Sequence, residues 1–208
     1  MPVPNSQYAH ALHSQRYATF GNIFGLLYSF RMREQLQIGV MGSDADLNYS
    51  EEVAKRAEEV GRLIAQKGHI TVYGAEKDLD SLSTAAARGA KAAGGLTVGV
   101  TYQRGMDIYD KEGSTDVIIV TGSERGGGRE MVLVNSCNVI ILISGGSGTL
   151  SEAAIAYQMN IPLVALVGTG GWADKLAGTY IDARNRFIVE AAQTPLEAVE
   201  KAIAIVQR

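Results

Sequence analysis

The chain has 208 residues, of which 46% are hydrophobic and 20% are charged, and its formal net charge is −3. This length predicts one sizeable hydrophobic core, and the acidic balance argues against a nucleic-acid-binding surface. Cys137 is the only cysteine, so no intrachain disulfide can form, and no apolar run approaches the roughly 20 residues of a membrane span. We therefore expect a cytoplasmic protein with no nucleic-acid or membrane partner, and we predict no metal site because no cluster of metal ligands is visible.

Residues 1–34 are predicted to form an N-terminal extension or arm. They contain one short apolar patch, Ile23–Phe30, which Arg31 and Arg33 follow, and no small-residue cleavage site is evident. A signal peptide is therefore not expected. The remaining residues, 35–208, are predicted to form a single Rossmann-like nucleotide-binding domain.

From residue 36 onward, short β-branched runs alternate with helical patterns. The predicted strands are Leu36–Met41, His69–Tyr73, Leu96–Thr101, Asp116–Thr121, Asn138–Ile143 and Pro162–Val167. The predicted helices are Tyr49–Lys67, Ser83–Ala93, Arg129–Ser136, Thr149–Met159 and Pro195–Val206, the last with Thr194 as its N-cap. This alternation is typical of a doubly wound, Rossmann-like α/β fold, in which helices cover both faces of a mostly parallel sheet.

Four polar, glycine-bearing turns follow predicted strands, at residues 42–44, 74–77, 122–128 and 144–148. The carboxyl ends of parallel strands meet at one edge of the sheet, and ligands of such folds collect there. Gly42 and Ser43, in the first of these turns, are therefore candidate ligand contacts.

The most informative turn lies between the buried run at residues 140–143 and the predicted helix after it. Its small residues let a ligand approach the backbone, and a helix N-terminus favours a phosphate. The candidate phosphate contacts are Gly145, Gly146, Ser147, Gly148 and Thr149, and Glu152 is expected in the first helical turn. The alternative is a capping box, in which Thr149 and Glu152 only satisfy free N–H groups of the helix.

The turn at residues 122–128 carries a second candidate site. Gly126, Gly127 and Gly128 favour a concave row of N–H groups that can hold an anion. Arg129 begins the next helix, where a cation is unfavourable unless something negative compensates it, so a contact with ligand oxygens is expected. The alternatives are a salt bridge to Glu124 or Glu152, or solvation.

These residues carry a family resemblance. Arg129, followed by Gly145-Gly-x-Gly-Thr-x-x-Glu152, resembles the Lonely Guy family of cytokinin-activating phosphoribohydrolases, which was long labelled a lysine decarboxylase family. Nothing in the sequence sets up a lysine for pyridoxal phosphate, so we discount that label. The segments 168–174 and 178–184 resemble the neighbouring molybdenum-cofactor carrier proteins. The chain departs from the hydrolases in two places. Ser144 replaces the motif proline, and the turn after the second predicted strand, which is glycine-rich in the hydrolases, carries Glu76 and Asp78, which are expected to repel a phosphate.

The resemblance implies two functions, which the sequence leaves open. In the first, the protein hydrolyses the N-glycosidic bond of nucleoside 5′-monophosphates to base and ribose 5-phosphate, with Glu152 and Arg129 as catalytic residues and Arg129 keeping Glu152 ionised. In the second, it is a non-catalytic carrier or sensor of a nucleotide monophosphate or a molybdopterin-type ligand, on which Trp172 stacks unless it is a core aromatic. Neither hypothesis requires a resident cofactor, and by analogy with such relatives we expect a homo-oligomer, a dimer or higher.

Overall fold

A computed structural model describes residues 35–105, 107–110 and 113–207, and the predicted arm at residues 1–34 lies outside them. The strands are β1 (Gln37–Gly42), β2 (Ile70–Gly74), β3 (Thr97–Thr101), β4 (Val117–Val120), β5 (Val139–Ile143), β6 (Leu163–Leu166) and β7 (Glu190–Ala192). The α-helices are α1 (Glu51–Gln66), α2 (Leu82–Ala92), α3 (Arg129–Asn135), α4 (Ser147–Gln158), α5 (Gly171–Leu176) and α6 (Pro195–Val206), and a 3-10 turn spans Ala45–Leu47.

All seven strands are parallel and form one sheet in the order β4-β3-β2-β1-β5-β6-β7. The predicted doubly wound, Rossmann-like α/β fold is confirmed, and each of the six predicted strands lies within one residue of its expected ends. Two short elements, β7 and α5, are not predicted from the sequence. The sequence Glu-Ala-Ala of β7 has low strand propensity, and the glycines before α5 hide its start.

The strand residues alternate between two hydrophobic clusters, one on each face of the sheet. Ile141 and Ile143 of β5 belong to the cluster under α1, α2 and α6, whereas Ile140 and Leu142 belong to the cluster under α3, α4 and α5. Because both faces are covered, β5 is fully buried and its sequence is uniformly apolar, as parallel sheets require.

Helices α1 and α2 pack through two glycines. A Cβ atom on Gly61 would lie 1.8 Å from the carbonyl oxygen of Ala86, and one on Gly89 would lie 1.8 Å from that of Glu58. The two backbones are therefore in direct contact, which explains why glycine stands inside two helices despite its low helix propensity.

Helix caps define three of the long helices. Ser50, Ser81 and Thr194 each accept a hydrogen bond from the N–H three residues later, and the predicted N-cap role of Thr194 is confirmed. Within the part of the chain that the structure describes, no helix is long and apolar enough to cross a membrane.

Candidate functional site

A cleft of about 380 Å³ opens at the carboxyl ends of the strands, where the chain order of the sheet reverses between β1 and β5. Such a switch point is where doubly wound folds bind ligands. The turns after β1, β2, β4 and β5 all reach it, as the sequence predicts. The sequence-predicted residues that line the cleft are Gly42, Ser43, Gly126, Arg129, Gly146, Ser147, Gly148, Thr149 and Glu152, whereas Gly127, Gly128 and Gly145 are not among its lining residues.

Helix α4 begins at the cleft with unsatisfied donors. Its N-cap is Gly146, which supplies no side-chain acceptor, and its first turn holds no acidic residue. The N–H groups of Ser147, Gly148 and Thr149 have no acceptor among the described residues. Thr149 is thus the third helical residue and Glu152 lies in the second turn rather than the first, so the capping-box alternative is wrong.

The residues just before α4 have an unusual backbone. Ser144 has φ +56° and Gly145 has φ +103°. A proline cannot adopt the Ser144 conformation, because its ring fixes φ near −65°. The N–H of Gly145 already donates to Ser43 Oγ at 2.8 Å, which leaves this predicted phosphate contact engaged within the protein.

Arg129 is 4% exposed and finds its compensating charge in Glu76, to which Nη2 donates at 2.9 Å. The negative partner therefore comes from the turn after β2 and not from Glu124 or Glu152. Glu130 lies 3.6 Å from Nε, but Nε and Nη1 have no hydrogen-bond partner among the described residues. A Cβ on Gly74 would lie 2.1 Å from Nη1, so the glycine that ends β2 makes room for this guanidinium.

The expectation that Glu76 repels a phosphate is corrected, because two arginines balance the charge of this carboxylate. Glu76 is 5% exposed and accepts hydrogen bonds from both Arg125 and Arg129. Arg125 also lies 3.7 Å from Asp44 and 5.1 Å from the centre of the Tyr102 ring. Arg125 lines the cleft with half of its side chain exposed, and its contacts link its own turn, after β4, to the turns after β1 and β2.

The glycine turn before α3 is not an open anion nest. The N–H of Gly126 donates to both carboxylate oxygens of Glu130 at 3.0 Å, and the N–H of Gly127 donates to the carbonyl oxygen of Glu124. Two of the three predicted N–H contacts are therefore engaged within the protein, and the carboxylate of Glu130 accepts the hydrogen bond of Gly126. Sequence reasoning overlooked Glu130, although an acidic residue in a first helical turn is a recognisable capping signal.

Glu152 is 7% exposed and accepts no hydrogen bond within the described chain. The pKa of Glu152 is raised from 4.5 to about 8, chiefly by burial; Arg129 opposes the shift, and the carboxylates of Glu130, Glu76 and Asp44 add to it. The expectation that Arg129 keeps Glu152 ionised is therefore wrong, because desolvation outweighs the arginine. At neutral pH the folded protein holds Glu152 mainly as a neutral carboxylic acid.

Two further acidic residues lie at the cleft, in and just after the turn that follows β1. Burial, followed by the charge of Glu76, raises the pKa of Asp44 to about 6. Asp46 also lines the cleft. Among the described residues, no group of three or more His, Cys, Asp or Glu side chains is arranged to hold a metal ion.

Trp172 does not line the cleft. It packs against the hydrophobic cluster under α3, α4 and α5, and Lys175 Nζ lies 4.5 Å from the centre of its ring. The structure thus favours the core-aromatic alternative over stacking on a ligand.

A parallel doubly wound sheet with a glycine-rich strand-to-helix turn at its switch point defines a Rossmann-like α/β protein. The chain belongs to the SLOG cluster4 family, whose model matches residues 35–199. An uncharacterized protein from Archaeoglobus fulgidus is 38% identical over 123 residues, which cover 59% of this chain and 74% of that relative.

Three solved structures resemble the protein over 84% of its length. TM1055 is 28% identical with a TM-score of 0.72 and is covered over 100% of its chain. The molybdenum cofactor binding protein from the phototrophic bacterium Rippkaea orientalis is 27% identical, with a TM-score of 0.70 and 99% covered. The molybdenum cofactor carrier protein from Chlamydomonas reinhardtii is 31% identical, with a TM-score of 0.69 and 100% covered. The predicted resemblance to the Lonely Guy-like proteins and their molybdenum-cofactor-carrier-like branch is confirmed.

Proposed function

We propose that the protein binds a phosphorylated small molecule of the nucleotide or pterin type in the switch-point cleft and holds it without cleaving it, as a carrier or sensor. The observation that carries this proposal is the start of α4, where the N–H groups of Ser147, Gly148 and Thr149 lack acceptors and line the cleft. A phosphate supplies such acceptors and interacts favourably with the helix dipole.

A second observation supports a ligand at the same place. The side chain of Arg129 is only 5% exposed, yet its Nε and Nη1 atoms lack hydrogen-bond partners among the described residues. Unpaired buried donors are costly, so a ligand oxygen that reaches them would gain a charge-assisted hydrogen bond.

The ion pair of Arg129 and the protonation of Glu152, the two residues that a hydrolase would use, favour the carrier hypothesis over hydrolysis. Arg129 is already paired with Glu76, and Glu152 is mainly neutral at pH 7, whereas stabilising an oxocarbenium-like state needs a negative charge beside the sugar. The names of the carrier and binding proteins that resemble the chain over most of its length point in the same direction.

Hydrolysis of nucleoside 5′-monophosphates is the second candidate, and the raised pKa of Glu152 favours one form of it. A protonated Glu152 can donate its proton to the leaving base as the C–N bond breaks. Water then adds to the anomeric carbon and passes one proton to the Glu152 carboxylate, which gives ribose 5-phosphate and restores the acid. In this form Glu152 acts as a general acid and not as the anionic stabiliser that the resemblance implies.

Gly148 offers a direct test of phosphate binding at α4. A Cβ at this position meets nothing within 4 Å, so Gly148→Asp fits the fold and places a carboxylate in the first turn. That charge stabilises the unliganded helix by about 0.5 kcal/mol but repels a phosphate. We expect AMP, GMP or a pterin monophosphate to raise the Tm of the wild type and of Gly148→Asn, and to leave the Tm of Gly148→Asp unchanged. Equal shifts in the two variants would refute phosphate binding at α4.

Turnover separates the two candidate functions. The wild type and Glu152→Gln are incubated with nucleoside 5′-monophosphates, and free base is measured by chromatography. Base release that Glu152→Gln abolishes would establish the hydrolase and overturn the carrier proposal. The carrier proposal predicts ligand-induced Tm shifts without base release.

A homo-oligomer is proposed as well. Large apolar side chains are exposed at the sheet edge and on the neighbouring helix, namely Val117 and Val120 of β4 and Met131 and Val132 of α3. Light scattering after size exclusion measures the assembly, and a monomer at micromolar concentration would contradict the proposal.

A further inference from the structure

The backbone N–H and C=O groups of Ser144 and Gly145, between β5 and α4, all form hydrogen bonds within the protein. The N–H of Ser144 donates to Thr169 Oγ1 at 2.8 Å, and the N–H of Gly145 donates to Ser43 Oγ at 2.8 Å. Ser43 Oγ in turn donates to Ser144 Oγ at 3.0 Å. Ser43, Ser144 and Thr169 are all buried, so these bonds are shielded from water.

The carbonyl groups of the same two residues are held by the start of α5. Trp172 N–H donates to the carbonyl oxygen of Gly145 at 3.0 Å, and Ala173 N–H donates to that of Ser144 at 2.8 Å. A Cβ on Gly171 would lie 2.5 Å from the carbonyl oxygen of Gly145, so only glycine permits this approach. The segment 168–174, which the sequence singles out by its resemblance to the carrier proteins, thus contacts the loop, and it does not line the cleft.

The turn at residues 168–170 is itself fixed. Asp174 accepts hydrogen bonds from the N–H groups of Gly168 at 2.7 Å and Gly170 at 3.0 Å. Thr169 Oγ1 donates to the carbonyl oxygen of Leu166, at the end of β6. The hydroxyl of Thr169 therefore links the carboxyl end of β6 to the residue that starts the loop before α4.

Ser144 adopts a left-handed conformation, at φ +56°, which is unfavourable for a residue other than glycine and persists only where the surroundings enforce it. The hydrogen bonds from the three neighbouring segments supply that enforcement. A proline at this position would lack the N–H that donates to Thr169 and could not adopt the angle, so this set of bonds is incompatible with the motif proline.

We propose that Thr169 and Ser43 are positioning residues, which fix the backbone of Ser144 and Gly145. The free N–H groups at the start of α4 are thereby kept in the geometry that binds an oxyanion. The proposal rests on the proposed binding function and deepens it. Ser144 and Gly145 then form the rigid support of the site, and the ligand contacts begin at Gly146. Groups that are held in the binding geometry before the ligand arrives cost less ordering on binding, and this raises affinity.

Thr169→Val tests the proposal, because valine keeps the shape of threonine and removes the hydroxyl. Thr169→Ser is the conservative variant that restores the acceptor. Thr97→Val is the matched control, since Thr97 is also buried, donates through Oγ1 to a backbone carbonyl oxygen, that of Ser114, and lies at the amino end of β3, away from the cleft.

Two quantities are measured for the wild type and the three variants. A low concentration of urea is added to the more stable proteins so that all four have the same free energy of unfolding. The first is the Kd for GMP and for inorganic phosphate, which we expect Thr169→Val to raise about tenfold or more, with Thr169→Ser and Thr97→Val close to the wild type. The second is amide hydrogen exchange of residues 144–149, which we expect to be faster in Thr169→Val alone.

The outcomes separate this inference from the proposed function. If the wild type binds neither GMP nor inorganic phosphate, but amide hydrogen exchange of residues 144–149 is faster only in Thr169→Val, the proposed function fails. The role of Thr169 in fixing Ser144 and Gly145 then stands. If exchange and Kd in Thr169→Val match the wild type, or if Thr97→Val changes both equally, the positioning role is overturned.

Discussion

Replacing Glu152 by Gln should make the free energy of unfolding less dependent on pH. The pKa of this carboxyl is raised from 4.5 to about 8 on folding, chiefly by burial. The folded state therefore keeps a proton that the unfolded state releases. The stability that the neutral carboxyl allows is present at low pH and is lost progressively as the pH rises from the unfolded pKa through the folded one.

The size of the effect follows from the pKa difference. At about 1.4 kcal/mol per pKa unit, titration of Glu152 should cost the wild type about 3 kcal/mol of unfolding free energy between about pH 5 and about pH 8. Gln has nearly the same shape and does not titrate. Its buried amide changes stability by an amount that does not depend on pH, so the difference between variant and wild type should shift by about 3 kcal/mol in favour of Gln over this interval.

Urea denaturation at both pH values measures this difference directly. Glu52→Gln is the control, because Glu52 is exposed, lies on α1 and does not line the cleft, so this variant shows what the same substitution does at a surface position. If Glu152→Gln parallels the wild type across the interval, Glu152 titrates as an exposed carboxyl does. That result would refute the claim that Glu152 is neutral at pH 7, on which the preference for a carrier over a hydrolase depends.

Three further substitutions test contacts that hold the fold and the site. Gly61→Ala should lower the unfolding free energy by about 2 kcal/mol or more despite better helix propensity, because its Cβ would meet the carbonyl oxygen of Ala86; a more stable variant in urea denaturation would contradict the packing. Gly74→Ala places a Cβ 2.1 Å from Arg129 Nη1 and should reduce the ligand-induced Tm shift, so an unchanged shift would separate the guanidinium from binding. Arg129→Met should cost about 3 kcal/mol by leaving the buried Glu76 with one partner, and adding Glu76→Gln should recover most of it; additive losses in a double-mutant cycle would show that the pair is not coupled.

Local sequence patterns are sufficient for much of the fold. The apolar run of β5 and the glycine turn after it identify a buried strand that leads into α4, and the ends of both elements lie within two residues of those predicted. The spacing from Arg129 to Glu152 also points to the family without any knowledge of the tertiary contacts. Such features depend on the order of residues along the chain, so the sequence alone displays them.

The state of the candidate site could not be predicted in the same way. The partner of Arg129 is Glu76, 53 residues away, and the acceptor for Gly145 N–H is Ser43, 102 residues away. Neither pairing leaves a signal in the local pattern. The turn at residues 122–128 has the composition of an anion nest, yet Glu130 fills it, because composition does not show which acceptor lies nearest in space.

The sequence by itself therefore determined the alternation of strands and helices, the sheet edge where the turns meet, and the family. Hydrophobic periodicity and turn chemistry act over a few residues, and they are written directly in the order of the chain. Only the tertiary structure decided which donors remain free at the cleft and which carboxyl is neutral. Hydrogen-bond partners and pKa values depend on distance and burial, which arise when β1, β2, β4, β5 and β6 bring remote turns to one edge of the sheet.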